Sequence, residues 1–390
     1  CQQMKDAGLE PMITHRTGLL LDPYFSGTKV KWLLDNVEGA RARAERGELL
    51  FGTVDCFLIW KLTGGRTHAT DATNASRTLL FDLEGQDWSA QMLSLLNVPK
   101  VLLPKVLDTA DDYGQTTADI LGRSVPIRAV VGDQQSALMG QGCIHPGEMK
   151  ATYGTGCFML LNTGTTRPVS RARLLTTVAA RIKGQTSYAL EGSIFVAGAA
   201  IQWLGEGLSI SGGPQAAEAL ARLAKPDHGV IVVPAFTGLG APWWDADARG
   251  AILGLTRDAG LPEIAAATFD AGAFQTHDLI DAMRADAPDC FGEGSELRID
   301  GGMANSDYFV QRLTDLTNVP VRRSAFHEMT ALGAALFAGL ASGVYSSLEE
   351  AAAVRPTSKQ IRPDIDPAER QIALARWADA VPRVRSRQNA

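Results

Sequence analysis

Three glycine turns, each closing a β-rich run, constrain this chain more than any other feature: Gly132-Asp133 after residues 126–131, Gly154-Thr155-Gly156 within 149–161, and Gly301-Gly302 after 297–300. A glycine turn lets backbone N–H groups approach a ligand without a Cβ in the way, and a helix starting there favours an anion. Helical periodicity follows the first and third turns, so strands alternate with helices and an α/β protein is expected, with two lobes whose sheets face a cleft.

The remaining elements fit that alternation. Val30, Leu33, Leu34 and Val37 predict a half-buried helix over 26–38, with Ser26 or Thr28 as its cap. The continuous apolar run 54–62, ended by Thr63-Gly64-Gly65, reads as a buried helix. A polar loop at 67–77 leads to a short strand at 79–83 and a helix around 89–96, stopped by Pro99. Hairpins at 149–161 and 176–190 precede helices at 197–208 and 215–224, a strand at 230–233 and a long helix starting at Pro262. Strand 319–322 and an Ala/Gly/Leu-rich helix at 330–341 follow, and the charged, helical tail after Pro363 reads as a solvated face.

Composition removes several functions. The 37 Lys+Arg against 43 Asp+Glu give a net charge of −6, without the clustered positive face that nucleic-acid binding needs. Apolar stretches such as 157–161 and 231–233 fall far short of the ~20 residues that span a bilayer. Cys1, Cys56, Cys143, Cys157 and Cys290 are scattered, without a CxxC pair, which fits a reducing cytoplasm better than a disulfide framework. No HxxxH or HExxH spacing offers a metal site. The opening Cys1-Gln2-Gln3-Met4-Lys5-Asp6-Ala7-Gly8 reads as the tail of an amphipathic helix, so a start further upstream is expected.

Singly, each glycine turn is as well explained by a hairpin or a plain turn as by a ligand, and neither Gly-x-Gly-x-x-Gly nor a P-loop occurs. Asp133 has two compatible readings. It can cap a helix over 134–141, and at a strand end it projects into the crevice where open α/β sheets bind ligands, able to accept a hydroxyl proton or hold a divalent metal.

Taken together the motifs form a pattern. Tyr24-Phe25-Ser26-Gly27-Thr28-Lys29-Val30-Lys31-Trp32-Leu33-Leu34-Asp35-Asn36, after Asp22-Pro23, resembles the signature helix of the FGGY carbohydrate kinases, in the branch that acts on glycerol. Gly132-Asp133-Gln134-Gln135, Thr152-Tyr153-Gly154-Thr155-Gly156-Cys157-Phe158 and Ala197-Gly198-Ala199-Ala200-Ile201-Gln202-Trp203 follow in the family's order. So do Phe236-Thr237-Gly238-Leu239-Gly240-Ala241-Pro242-Trp243-Trp244-Asp245 and Asp300-Gly301-Gly302. The resemblance implies a two-lobe ribonuclease H-like fold of the actin and hexokinase type, with ATP between the lobes and glycerol deep in the first. By that likeness, residues 1–142 are the remainder of the N-terminal lobe on the glycerol side, 143–345 the C-terminal lobe on the nucleotide side, and 346–390 a helical tail.

The implied reaction is phosphorylation of glycerol to sn-glycerol 3-phosphate, by in-line attack on the γ-phosphate of ATP. Asp133 is then the base, with Mg²⁺ balancing phosphate charge and Asp133 its expected protein ligand. Substrate contacts carry over to Tyr24, Asp133, Gln134 and Phe158, and nucleotide contacts to Thr155, Gly198, Gln202, Gly302 and Ser306. Where the family usually carries Asn, this chain has Ser306, with Asn305 one step earlier. Each residue also has a plainer role available: Tyr24 as a hydrophobic staple, Phe158 as core, Gln202 and Trp203 as helix surface and helix core, and Trp243-Trp244 as a packed loop anchor. The resemblance also implies a small-molecule partner, no nucleic acid and no membrane insertion, and leaves a homo-oligomer open.

The chain departs from the pattern in having no Asp-x-Gly-Thr-Thr-Ser hairpin, and no Arg-Glu pair or Trp ahead of the signature helix. The first lobe is therefore expected to be incomplete and the fragment inactive. Two alternatives stay open: a pentulose-type kinase of the same family, and a non-catalytic actin-like ATP-binding module. The Leu121-Gly122-Arg123-Ser124 loop lacks the Gly-Gly-x-Arg that some bacterial members use for a sugar-phosphate inhibitor.

Overall fold

The computed structural model describes residues 1–292, 294–326, 328–355 and 359–386. Its second half is built on a seven-stranded mixed sheet. The strands are β1 (Met149–Tyr153), β2 (Cys157–Gly164), β3 (Leu175–Ile182), β4 (Gln185–Ile194), β5 (Leu297–Asp300), β6 (Val321–Arg323) and β7 (Gln360–Ile361), and they lie in the order β7-β6-β5-β1-β2-β4-β3. The two expected hairpins supply β1 to β4, and β5 returns parallel to β1 after a long helical excursion. Parallel pairing needs such a crossover, whereas the antiparallel strands need only tight turns.

The helices that matter for the site are α1 (Ser26–Asn36), α2 (Val54–Leu62), α3 (Asp133–Gly140), α4 (Gly198–Leu208), α5 (Leu261–Asp286), α6 (Asp307–Thr317), α7 (Met329–Ala341) and α8 (Pro367–Val384). One face of the sheet, with Met149, Ala151, Tyr153, Met159 and Ile299, packs on α4, α5 and α6 in the largest hydrophobic core. A second core gathers Ile13, Leu21, Phe25, Leu34, Phe81, Trp88 and Leu96 from the first half and reaches Leu175 and Val178 on β3. Helix α3 crosses α7 at two glycines. A Cβ at Gly140 would sit 2.1 Å from the Met329 carbonyl oxygen, and one at Gly333 would sit 1.8 Å from that of Ser136, so only glycine lets these backbones touch.

The structure corrects several expectations. Among the described residues, the first half pairs only short segments, Ala69–Asp71 with Lys105–Leu107 and Phe81–Asp82 with Asp87–Trp88. The last of these is what remains of the expected strand 79–83, because Leu79 takes a positive φ of 62°. Residues 126–131 form no strand. Pro126 lacks an N–H, and although Ile127, Arg128 and Val130 exchange backbone hydrogen bonds with 109–114, the pairing is irregular and reduces to isolated bridges at Ala110–Ala129 and Gln115–Pro126. Helix α2 exists as expected but is not buried: Cys56 and Ile59 face inward, while Val54, Phe57 and Leu58 are exposed. Its apolar run carries no periodicity to say which side faces the core. The charged tail is docked rather than solvated, since Trp377, Ala380 and Val381 of α8 are buried in the main core.

Candidate active site

The hairpin tip between β1 and β2 is tied to the start of α4. Gly198 N–H donates to the Gly154 carbonyl at 3.0 Å, and Ala197 and Ala199 donate to the Thr155 carbonyl at 2.9 and 3.0 Å. The approach is so close that a Cβ at Gly198 would stand 2.4 Å from the Gly154 oxygen. On the neighbouring strand, β5 ends at Asp300, and Gly301 turns with φ of +91° against the Tyr153 backbone. These walls enclose a cavity of 290 Å³.

Thr155, Gly198, Gln202, Gly302 and Ser306 all line that cavity, so the structure brings together the residues expected at the nucleotide. It adds Pro214, Gln215 and Glu218, which the sequence did not single out because they lie on a surface helix with no motif. It also separates Ser306 from Asn305. The Ser306 hydroxyl accepts from Phe309 N–H at 3.0 Å as the cap of α6, while Asn305 lines the cavity with an exposed amide that has no hydrogen-bond partner among the described residues.

Asp133 lies on the other side of β1, facing the first half. It is the first residue of α3 and not its cap, which corrects the capping expectation: Gly132 holds that position, extended at φ −63° and ψ 148°. The turn is anchored from below, because Gly132 N–H donates to Thr73 Oγ1 at 2.8 Å and Thr73 Oγ1 donates to the buried Asp71 at 2.8 Å. Burial pushes the Asp71 carboxyl up to about 6, against the hydrogen bonds it accepts from Asn74 and Thr73. The Asp133 carboxylate is exposed, accepts from Gln134 N–H at 2.8 Å, and lies 3.4 Å from Gln134 Nε2.

The Gln134 amide oxygen accepts from Lys150 Nζ at 2.5 Å, and the same ammonium donates to Thr152 Oγ1 at 3.2 Å. Lys150 has 0% exposure. Burial lowers its pKa, while the surrounding Asp300, Cys157, Glu191 and Asp133 act the other way. Residues opposite one another in a ladder share a face, so the pairings Thr152–Phe158, Phe158–Ser193, Asp300–Thr152, Lys150–Leu160 and Leu160–Glu191 place Lys150, Thr152, Phe158, Glu191, Ser193 and Asp300 on one side of the sheet. That side is opposite the main core. It carries three buried polar atoms without a partner in the structure: Asp300 Oδ1, Glu191 Oε2 and Arg77 Nη1. Each such atom costs about 1–3 kcal/mol, so this face suits polar ligands. Gln141, which donates to Asp300 at 2.9 Å, and Lys150 belong to no motif and could not be singled out from the sequence, while Asp300 stands in the Asp300-Gly301-Gly302 motif but was given no role there.

Tyr24 stands apart. It is 64% exposed just ahead of α1, packs edge-on against Phe25 at 5.3 Å, and has no hydrogen bond to Asp133, Gln134 or Phe158. It is linked to the sheet face through Phe25, whose ring lies 5.6 Å under the Arg77 guanidinium, which in turn pairs with Glu191 at 2.8 Å. Trp243 and Trp244 are loop anchors, as expected, with indole N–H groups on Asp278 and on the Arg173 carbonyl.

A glycine-walled cavity at the end of a mixed sheet, and an acidic helix start on the polar face of the same sheet, are parts that a small-molecule phosphotransferase needs. Residues 1–140 match the N-terminal domain, and residues 149–342 the C-terminal domain, of the FGGY family of carbohydrate kinases. The chain belongs to that family. It is 55% identical over 383 residues to the glycerol kinase of Cereibacter sphaeroides, covering 98% of this chain and 77% of that one. It is 53% identical over 389 residues to the glycerol kinase of Agrobacterium fabrum, covering 100% and 78%. Among solved structures, Plasmodium falciparum glycerol kinase with ADP superposes with a TM-score of 0.91 at 33% identity, over 98% of this chain and 77% of that one. A gluconate kinase from Lactobacillus acidophilus shares the fold with a TM-score of 0.86 at 23% identity, over 97% and 75%.

Proposed function

We propose that this protein transfers the γ-phosphoryl group of ATP to a primary hydroxyl of glycerol. The observation that carries this reading is the extent of the likeness: relatives more than half identical over nearly the whole chain are glycerol kinases. A pentulose substrate is less well supported, since the xylulose kinases that share the fold are 17–23% identical. The site's chemistry agrees. Glycerol is small, neutral and polyhydroxylated, and asks for acceptors, an amide and an apolar wall, which Asp133, Gln134 and Phe158 supply, while Tyr24, exposed ahead of α1, would join them only across the gap to the first half.

In this reading Asp133 accepts the proton as the glycerol oxygen bonds to phosphorus and the bond from phosphorus to the ADP oxygen breaks. Gln134 orients the attacking hydroxyl. Thr155 and Gly198 present the hairpin tip and helix start to the phosphates, and Gln202, Gly302 and Asn305 hold the nucleoside, while Ser306 keeps that turn in shape by capping α6. Mg²⁺, a hard cation that prefers oxygen donors, would be held on the protein side by the Asp133 carboxylate and would screen the phosphate charge. Among the described residues no group of three or more His, Cys, Asp or Glu side chains is placed to hold a metal ion, so the nucleotide would supply most of the ligands. The domain boundaries at 142 and 345 and a cytoplasmic site of action, where ATP is available, belong to the same proposal.

The test is glycerol-dependent ADP release by the protein expressed from its complete reading frame, against a panel of pentuloses. Glycerol should give the highest kcat/KM, and Asp133→Asn should lower kcat by roughly 10²–10⁴-fold with little change in ADP affinity. Preference for a pentulose, or full activity in Asp133→Asn, would end this reading.

A further inference from the structure

Lysine is almost never fully buried unless it is paired, and removing an ammonium from water costs several kcal/mol. Lys150 is nevertheless enclosed on β1, and its strongest partner is not a carboxylate but the neutral amide of Gln134. Asp300, Glu191 and Asp133 surround it, yet none lies within ion-pair distance. A buried charge given to an amide is a poor stability device. It is a good orienting device, because an amide has two ends of nearly equal shape and opposite polarity.

With Lys150 holding the oxygen, Gln134 can present only its NH₂ group to the other side, where Asp133 Oδ2 lies 3.4 Å away. The backbone N–H of Gln134 holds Asp133 Oδ1 at 2.8 Å. The carboxylate is thus set by one residue, and that residue is set by the lysine. Thr152, which takes a second hydrogen bond from the ammonium, stands directly opposite Phe158 in the ladder, so the same cation also fixes the strand that carries the aromatic wall.

We infer that Lys150 is a positioning residue: it fixes the amide of Gln134, and through it the carboxylate of Asp133, for the incoming hydroxyl. The inference rests on the proposed glycerol kinase reading and goes beyond it by assigning a role to a residue outside every recognised motif. Misplacing a reacting group by about 1 Å costs on the order of 100-fold in rate.

The experiment is a double-mutant cycle in the protein expressed from its complete reading frame, with Lys150→Met, Gln134→Leu and both together. Steady-state kinetics with glycerol and ATP is paired with fluorescence titration of ADP. Lys150→Met should lower kcat/KM for glycerol by roughly 10- to 100-fold, leave the ADP dissociation constant within about twofold, and add almost nothing on top of Gln134→Leu. Losses that multiply in the double variant, or ADP affinity falling in step with turnover, would show a merely structural lysine and overturn the inference. Should Lys150→Met fail to fold, Lys150→Gln carries the test, since its amide still donates to Gln134; a several-fold loss in kcat/KM with unchanged ADP affinity is expected, and an unchanged kcat/KM overturns the inference. An unsubstituted protein that does not phosphorylate glycerol overturns the functional reading and this inference with it, whereas an active parent with additive variants removes the inference alone.

Discussion

Two adjacent glycines end β5 for different reasons. Gly301 has φ of +91°, and a Cβ on it would lie 2.3 Å from the Tyr153 carbonyl oxygen, so it is required by the backbone. Gly302 has nothing within 4 Å of where its Cβ would be, and that empty direction is part of the cavity wall. Gly301→Ala should therefore lower stability by about 1–3 kcal/mol in denaturant melts. Gly302→Ala should melt like the parent yet bind ADP roughly tenfold more weakly, a difference of about 1.4 kcal/mol, by calorimetric titration. Equal effects of the two changes on melting would contradict this division. The sequence shows a Gly-Gly turn but not which glycine is strained, because that depends on the register of β5 against β1, set some 150 residues apart. Ser306 and Asn305 illustrate the same limit. Both are polar and adjacent, and only the helix start at Asp307 decides that the serine hydroxyl is already engaged.

Elements were legible where period and punctuation agreed. The hairpins 149–161 and 176–190, α5 behind Pro262 and α7 all lie close to where the pattern puts them, and each joins apolar periodicity to a turn or proline signal. The failures share a cause: α2 and 126–131 are apolar without a decisive period, so tertiary contacts chose their exposure and pairing. The outer edge of the sheet shows what such contacts do. Glu296 accepts from Arg298 on β5, Arg322 on β6 and Gln360 on β7 at 2.9–3.2 Å, joining three successive strands through one carboxylate. Partial burial pushes its pKa up, but the hydrogen bonds from Arg322, Arg298 and Gln360 outweigh that and bring it down to about 2. A depressed carboxyl pKa contributes stability that is complete above the unfolded value near 4.5 and disappears as pH falls through about 2. The contribution is about 2–3 kcal/mol at neutral pH. Glu296→Gln should thus lower the melting temperature by a few degrees at pH 7, and the gap should close as melts are repeated toward pH 2. A gap that does not depend on pH would rule out this ionic origin.

At the level of the whole molecule, the family could be recognised in the sequence because its motifs stand in order along nearly the entire chain, while the division of labour between them could not. The residues expected at the nucleotide line one cavity, but Tyr24 reaches the polar sheet face only by way of Phe25 and Arg77. The tail is the clearest case of information absent from local sequence. Helix α8 looks solvated by composition, yet Trp377, 2% exposed, stacks on Phe274 of α5 at 5.1 Å and donates its indole N–H to Asp278 at 2.8 Å. Trp377→Ala should cost about 3–5 kcal/mol and open α8 to limited proteolysis, while Trp377→Phe should keep the stack and lose about 1 kcal/mol, since Asp278 keeps the longer hydrogen bond from Trp243. Protease resistance in the alanine variant would show that the helix is held elsewhere.

Where α3 meets α7, two bare α-carbons act as a seat. The acid at the front of α3 is encoded in the first half of the chain, but its bearings come from a helix of the second. A single added methyl at either seat would force the two helices apart and shift the acid from a distance, so damage of this kind would look like a defect in chemistry while its origin lay in carpentry.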